Sequence, residues 1–219
     1  MSPKEYEYNE KIHAAIINPY LSKYDFDANC ELIRKFNIRN ISTTLLYLRD
    51  LKEYFYNFKV NLKTYISYPL SDLPNDYVND LIMHAKDLGA NEIEYSPKFF
   101  LLSKNDDNSF ALDIENISSS DLPVTLIFNK QRLEEKHFKR AMEISLELGI
   151  ENFQFGDGFG AKPSFIDIKE ILKLINRNHL LKIVGGIKNL DQVNQLLDAG
   201  VNCVGSSNFY NIFKEINSN

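Results

Sequence analysis

Two glycine-containing stretches near the end of the sequence decide the fold: LKIVGGI at residues 181–187 and VNCVGSS at residues 201–207. Each begins with a short apolar run that is typical of a buried strand, and each ends in the small residues of a tight turn. Between them lies a segment with helical spacing, residues 190–199, which ends at Gly200. This succession of strand, helix and strand indicates a parallel sheet, because parallel neighbours need a helical crossover.

The same alternation continues toward the start of the chain. We predict strands at residues 16–21, 38–43, 60–66, 90–95, 124–128, 152–155, 181–184 and 201–204. We predict helices at residues 4–17, 27–36, 45–58, 75–88, 133–148, 165–176, 190–199 and 209–216. The polar residues 103–120 show at most one short helix, beginning at Leu112.

Eight strands separated by helices in about 200 residues predict a minimal (β/α)8 TIM barrel of the α/β class. The barrel carries an extra N-terminal helix ahead of its first strand. A doubly wound open sheet has the same periodicity and is the alternative fold.

The composition is that of an ordinary globular protein, with 44% hydrophobic and 25% charged residues in 219. No linker or low-complexity tract interrupts it, so we expect one domain over residues 1–219. The net charge of −5 shows no basic excess, so we expect no nucleic-acid partner. The start of the chain is polar, and no apolar run approaches the roughly 20 residues of a membrane span. We therefore expect a cytoplasmic protein without a membrane partner.

The cysteines and histidines do not indicate a metal site. Cys30 and Cys203 are too few for a disulfide framework, and the four histidines lack the spacing of metal ligands. We therefore expect no metal and no cofactor.

A phosphate site is predicted where the seventh and eighth strands end. Barrel enzymes often bind phosphate there, with the help of a helix N-terminus. Gly185, Gly186 and Gly205 would let the backbone approach an anion closely. Ser206 and Ser207 would add hydroxyl donors at the start of the last helix. The alternative is a plain turn followed by a helix cap.

These stretches resemble the motifs of deoxyribose-phosphate aldolases, and weaker matches occur in the same order at SYPL (67–70), GANEIE (89–94) and FQFGDGF (153–159). The resemblance covers essentially the whole chain and implies a (β/α)8 barrel. It also implies class I aldolase chemistry, in which a lysine imine joins acetaldehyde to glyceraldehyde 3-phosphate, or cleaves the product, without a metal. Many members of the family form dimers, so a homodimer is a candidate assembly.

The resemblance keeps the phosphate half of the family's site and changes the carbonyl half. The positions of the family's phosphate ligands are held by Gly158, Gly185, Gly186, Gly205, Ser206 and Ser207. Lys182 stands where the family has its second lysine, and Glu94 where it has a proton-transferring aspartate. Gln154 stands at the position of the imine-forming lysine, and a Gln amide cannot form an imine.

The candidate catalytic residues each allow two interpretations. Lys182 forms an imine itself, or it pairs with Glu94 or with a bound phosphate. Lys98 is a relocated imine lysine or an exposed loop lysine. Glu94 and Asp157 divide acid and base roles, or Asp157 is a turn residue. Gln154 orients a water or a carbonyl, or it only fills space.

Three functions remain open on the sequence alone, and each takes a small phosphorylated ligand. The first is a divergent aldehyde-lyase acting on a phosphorylated aldehyde, ketone or sugar by carbon–carbon bond or proton-transfer chemistry. The second is a non-catalytic phospho-ligand-binding or partner subunit on a retired aldolase scaffold. The third is a true deoxyribose-phosphate aldolase with a relocated lysine.

Overall fold

The computed structural model describes residues 3–159, 163–176 and 178–218, in which eight parallel strands close into a barrel. The strands are β1 Ile12–Ile16, β2 Asn40–Thr43, β3 Asn61–Ile66, β4 Glu92–Tyr95, β5 Val124–Phe128, β6 Asn152–Phe155, β7 Leu180–Val184 and β8 Cys203–Ser206. Each strand pairs with the next, and β1 pairs with β8 to close the sheet. The predicted (β/α)8 barrel is confirmed, and the open-sheet alternative is wrong.

Helices surround the barrel. They are α1 Pro3–Lys11, α2 Lys23–Lys35, α3 Leu45–Tyr54, α4 Asn75–Leu88, α5 Phe100–Ser103, α6 Asp107–Ser118, α7 Glu135–Glu147, α8 Phe165–Leu174, α9 Leu190–Asp198 and α10 Phe209–Ser218. A 3-10 turn covers Lys130–Arg132. Helix α1 precedes β1, as the predicted N-terminal extra helix does. On α7 the buried residues Phe138, Ala141 and Met142 recur at helical spacing, so one face of the helix packs on the barrel.

The first strand lies earlier than the sequence predicted. The predicted helix over residues 4–17 ends at Lys11, and β1 is Ile12–Ile16 rather than residues 16–21. All five residues of β1 are buried, and a short apolar run of this kind has no periodicity that separates strand from helix. The eighth strand is also shifted, since it begins at Cys203 and includes Gly205 and Ser206.

The polar segment after β4 holds more helix than the sequence predicted. Helix α6 covers twelve residues, and the Asp106 side chain caps it by accepting a hydrogen bond from the Ser109 backbone N–H at 3.0 Å. Its buried face is Phe110, Ile114 and Ile117, spaced four and then three residues apart. The polar residues between them hide this narrow apolar stripe in the sequence.

The inside of the barrel is polar, whereas barrels of this type are usually filled with branched apolar side chains. The buried polar side chains on inward-facing strand positions are His13, Ser42, Lys63, Glu92, Glu94, Thr125, Gln154 and Lys182. Lys63 and Glu92 form an ion pair at 2.5 Å, and the Thr125 hydroxyl donates to Glu92 Oε1 at 2.6 Å. Because such charges are costly to bury alone, each must keep its partner.

This pairing leads to a stability prediction. Lys63→Met should lower the free energy of unfolding by about 3–5 kcal/mol, because it leaves the Glu92 carboxylate buried without its counter-ion. The double variant Lys63→Met/Glu92→Leu should recover most of that loss. Urea unfolding at pH 7, followed by circular dichroism, measures both.

A matched control is Lys86→Met, which breaks the exposed ion pair between Lys86 and Asp121. Solvent screens that pair, so its loss should leave the unfolding midpoint nearly unchanged. A double Lys63/Glu92 variant that is no more stable than Lys63→Met would contradict the prediction.

Candidate functional site at the barrel mouth

A pocket of ≈ 560 Å³ opens at the carboxyl ends of β7 and β8. Its lining includes the six predicted phosphate ligands, namely Gly158, Gly185, Gly186, Gly205, Ser206 and Ser207. The structure therefore brings together residues that lie up to 49 positions apart in the chain (207 minus 158). The sequence analysis missed Lys188, Asn208 and Asn211 in the same lining, although Lys188 directly follows the Gly-Gly-Ile turn.

The backbone of the β7–α9 loop has a shape that glycine permits. Gly185 has φ of 110° and Gly186 has φ of 63°, a region that costs other residues energy because of their Cβ atoms. This turn brings the main chain to the pocket surface without a side chain. The arrangement suits close approach of an anionic group to backbone N–H donors.

Ser206 connects two loops of this wall. Its hydroxyl donates to the Ile187 carbonyl at 2.7 Å and accepts from the Asn208 backbone N–H at 2.9 Å. The hydroxyl proton of Ser206 is therefore already engaged, whereas Ser207 is exposed beside it. The role expected for Ser206 thus shifts from donor to loop support.

The same wall carries positive charge. Lys188 is exposed at the pocket edge, and its carbonyl accepts a hydrogen bond from Asn208 Nδ2 at 2.6 Å. Helix α10 begins at Phe209, so the positive end of its dipole faces the same region. A cation, a helix N-terminus and an open glycine backbone together can hold an anion.

Beneath the pocket lies a buried ion pair. Lys182 Nζ donates to Glu94 Oε1 at 2.5 Å and to Ser42 Oγ at 2.8 Å, and Ser42 Oγ donates to Glu94 Oε1 at 3.0 Å. The side chains of Lys182 and Glu94 are 1% and 0% exposed. Of the two interpretations of Lys182, the structure contains the pairing with Glu94. Ser42 is a member that the sequence analysis missed.

Gln154 occupies the place beside Lys182. Strand register pairs the two residues across β6 and β7. Gln154 Nε2 donates to the Gly156 carbonyl at 3.1 Å, while its Oε1 has no hydrogen-bond partner among the described residues. The amide is fully buried, so it supports its own loop and fills the interior.

Two stacked tyrosines form another part of the pocket lining. Tyr65 and Tyr68 both line the pocket, and their ring centroids lie 4.5 Å apart. The Tyr68 hydroxyl donates to the Asp157 carbonyl, and the register of β3 and β4 places Tyr65 beside Glu94. Burial, and then the charge of Glu94, raise the pKa of Tyr65 well above its ordinary value of 10.

Tyr20, Tyr68 and Tyr95 lie at or next to the ends of predicted strands, and of the three Tyr68 lines the pocket. Tyr20 is 90% exposed, and Tyr95 is buried and donates to Asp113 Oδ1 at 2.9 Å. Tyr65 was missed, although its position on an alternating strand would have placed it inside the barrel.

Asp157 is both a turn residue and a pocket carboxylate. It accepts from the Phe159 backbone N–H at 2.9 Å and from Asn129 Nδ2 at 2.6 Å, and it pairs with Arg132 at 3.3 Å. Its side chain also borders a second cavity of ≈ 320 Å³. Glu94 and Asp157 are held by separate partners, so each carboxylate has its own environment.

Lys98 is neither an exposed loop lysine nor part of the mouth pocket. Its ammonium lies 3.3 Å from Asp113 Oδ1 on α6, behind β4, and it also contacts Asn75. The expectation of an exposed loop lysine is therefore wrong. The ion pair to α6 explains the change, because it draws the side chain away from solvent.

Residues 3–159, 163–176 and 178–218 contain no group of three His, Cys, Asp or Glu side chains placed to hold a metal ion. No helix in that part of the chain has both the length and the apolar character needed to cross a bilayer.

Comparisons with curated proteins support the sequence resemblance. Deoxyribose-phosphate aldolase of Dictyoglomus turgidum is 24% identical over 205 residues, which cover 92% of this chain and 94% of the relative. The same enzyme of Caldanaerobacter subterraneus is 22% identical over 210 residues, covering 93% and 91%. No protein-family model matches the chain.

Solved structures show the same fold. The protein described as "QR15, an Aldolase" has a TM-score of 0.88 at 18% identity, covering 99% of this chain and 97% of the other. A putative deoxyribose-phosphate aldolase from Coccidioides immitis has a TM-score of 0.89 at 16% identity, covering 99% and 88%. The predicted resemblance is confirmed over nearly the whole chain.

His13 leads to a pH prediction. It is buried on β1, and its Nδ1 has no hydrogen-bond partner within the described residues. Burial, then the charges of Lys182 and Lys63, hold its pKa well below the ordinary value of 6.5. The folded barrel therefore keeps His13 neutral, while the unfolded chain binds a proton below about pH 6.5.

Because the unfolded state binds more protons in acid, stability should fall as pH is lowered. Between pH 7.5 and 5.5 this contribution is about 1.4 kcal/mol. Urea unfolding at both pH values should show that loss in the parent and in His84→Asn, which replaces an exposed histidine. In His13→Asn the loss should be smaller by that amount, and an unchanged pH dependence would refute the assignment.

Proposed function

We propose that this divergent relative of the deoxyribose-phosphate aldolases is an aldolase-like lyase that acts on a small phosphorylated aldehyde, ketone or sugar. One observation carries the proposal: a pocket lined by Gly185, Gly186 and Lys188, which we call the anion-binding wall because of the ligand we propose for it, lies next to the buried Lys182–Glu94 pair. A Cβ atom added to Gly205, which lines the pocket, would lie 2.9 Å from Lys182 Cε. The charged pair therefore lies just under the pocket surface.

The anion-binding wall would hold the phosphate of the substrate. Gly185 and Gly186 offer backbone approach, Lys188 offers charge, and the N-terminus of α10 completes the electropositive side. Fixing the phosphate at this wall directs the rest of a small molecule toward Tyr65 and Asp157, which line the same pocket. Positioning of this kind supplies a large share of the rate of an enzyme.

The carbonyl end of the substrate would meet a charged environment rather than a nucleophile. Lys182 is bonded to Glu94 and Ser42, so its ammonium supplies positive charge under the pocket. Gln154 cannot form an imine. Electrostatic stabilisation of developing negative charge is strongest where water is excluded, as it is around this pair.

A non-catalytic phospho-ligand-binding subunit is the second candidate. It is favoured by the burial of Lys182, Glu94 and Gln154, none of which belongs to the lining described for the pocket. The two candidates differ in turnover. Incubation with glyceraldehyde 3-phosphate plus acetaldehyde, or with dihydroxyacetone phosphate, followed by NMR of new products or exchanged α-protons, separates a lyase from a binder.

Borohydride trapping should yield no covalent adduct. The protein is incubated with acetaldehyde, glyceraldehyde 3-phosphate or dihydroxyacetone phosphate and reduced, and its intact mass is measured. We expect an unchanged mass, because Lys182 is an ion-paired ammonium and Gln154 is not nucleophilic. An adduct that peptide mapping places on Lys182 would instead establish an aldolase with a relocated imine lysine.

Phosphate binding should depend on Lys188. Inorganic phosphate should raise the melting temperature of the parent, since a ligand that binds only the folded state stabilises it. Lys188→Ala should weaken phosphate binding about tenfold, as the loss of a charge-assisted contact predicts. Calorimetric titration measures the affinity.

The control is Lys136→Ala, which removes an exposed lysine on α7 that pairs with Glu134. Its phosphate affinity should equal that of the parent. Equal affinities for all three proteins would remove Lys188 from the site.

A further inference from the structure

Tyr65 connects the pocket to the buried charges. Its ring lines the pocket, and strand register places it directly beside Glu94 on the inward face of the barrel. Glu94 and Ser42 lie close enough to Tyr65 to act on its hydroxyl, Glu94 chiefly through its negative charge. Tyr65 is thus adjacent to both the pocket and the buried ion pair.

The neighbouring ring cannot take this position. Tyr68 also lines the pocket, but its hydroxyl donates to the backbone carbonyl of Asp157. Gln154 is directed to the Gly156 carbonyl, and Lys182 to Glu94 and Ser42. Among the described residues, Tyr65 is therefore a side-chain donor that both lines the pocket and lies beside Glu94 in the strand register.

The phenol keeps its proton at neutral pH. Burial and the adjacent Glu94 carboxylate both raise the pKa of Tyr65, because a phenolate there would be poorly solvated and would be repelled by the carboxylate. A protonated phenol that is connected to an ammonium through one intervening hydroxyl can donate its proton and then be reprotonated by the ammonium. Lys182 Nζ donates to Ser42 Oγ, which completes that route.

We infer that Tyr65 is the catalytic proton donor to the carbonyl oxygen of the bound substrate. The inference rests on the proposed lyase function and assigns its acid. In this assignment the electron pair of the breaking carbon–carbon bond is accepted by a hydrogen-bonded carbonyl group of the substrate and not by an imine.

The proposed step cleaves a β-hydroxy carbonyl compound. The β-hydroxyl loses its proton to the Asp157 carboxylate, and the bond between the α and β carbons breaks. Its electron pair forms an enolate, whose oxygen takes the Tyr65 proton to give an enol and a free aldehyde. The Ser42 hydroxyl turns from Glu94 and gives its proton to the phenolate while Lys182 gives a proton to Ser42, and the proton on Asp157 returns to Lys182 through solvent.

The test compares two probes that share a phosphate group. Inorganic phosphate reports on the anion-binding wall alone, whereas 2-phosphoglycolate adds a carboxylate that imitates the enolate oxygen. Calorimetric titration of the parent should give the tighter binding for 2-phosphoglycolate. Tyr65→Phe should weaken 2-phosphoglycolate about tenfold and leave phosphate unchanged, as the loss of a hydrogen bond to a charged group predicts.

Tyr47→Phe is the matched control. It also removes one buried phenol hydroxyl, but that hydroxyl donates to the Asn18 carbonyl at 2.7 Å, outside the pocket lining. Both affinities should stay at the parental values. The melting temperature of each variant checks that the barrel is folded.

A second measurement uses the parent alone. The ratio of the two affinities should stay constant from pH 7.5 to 9, because the Tyr65 phenol keeps its proton over that range. A ratio that falls would show a titrating donor and would overturn the inference.

The remaining outcomes separate the two proposals. Equal weakening of both probes in Tyr65→Phe would make Tyr65 only part of the pocket surface and would overturn the inference. Parental 2-phosphoglycolate binding no tighter than phosphate would do the same while leaving the phosphate wall intact. No binding of phosphate to the parent would overturn the proposed function itself.

Discussion

The ion pair between Lys182 and Glu94 is the constraint on which the mouth of the barrel depends. Its atoms lie 2.5 Å apart and are shut away from water, so neither charge can be removed without leaving the other uncompensated. Ser42 bonds to both partners, at Lys182 Nζ and at Glu94 Oε1, and Tyr65 lies beside Glu94 in the strand register. The polar residues around the pair thus take the place of the water that would otherwise solvate the two buried charges.

The other buried charges inside the barrel are balanced in the same way. The ion pair of Lys63 and Glu92 forms a second buried unit, and Thr125 completes its hydrogen bonding. His13 lies near both lysines and stays neutral, because a third positive charge there would have no counter-ion. The polar interior therefore contains charge-compensated ion pairs and the neutral imidazole ring of His13.

Local patterns predicted much of this architecture, and long-range contacts account for what they missed. The alternation of strands and helices predicted the barrel, and the glycine turns after β7 and β8 predicted the pocket, because each signal lies within a few residues. The first strand was misplaced because Ile12–Ile16 is apolar at every position except His13. Ser42 and Tyr65 were missed because their partners Lys182 and Glu94 are far away in the chain, 140 residues in the case of Ser42 and Lys182. Only closure of the barrel brings these side chains together.

The amide at position 154 has two consequences for the proposed chemistry. The first is that this position offers no nucleophile, since an amide cannot form an imine. The second concerns Lys182, whose neighbour on β6 is now neutral and turned toward the Gly156 carbonyl. A like charge beside a lysine helps to drive off its proton, and a neutral amide does not. Gln154 thus supplies no imine and places no second cation beside Lys182, which pairs with Glu94. The carbonyl chemistry proposed for this mouth therefore uses hydrogen bonds and charge, which is the role proposed for Tyr65.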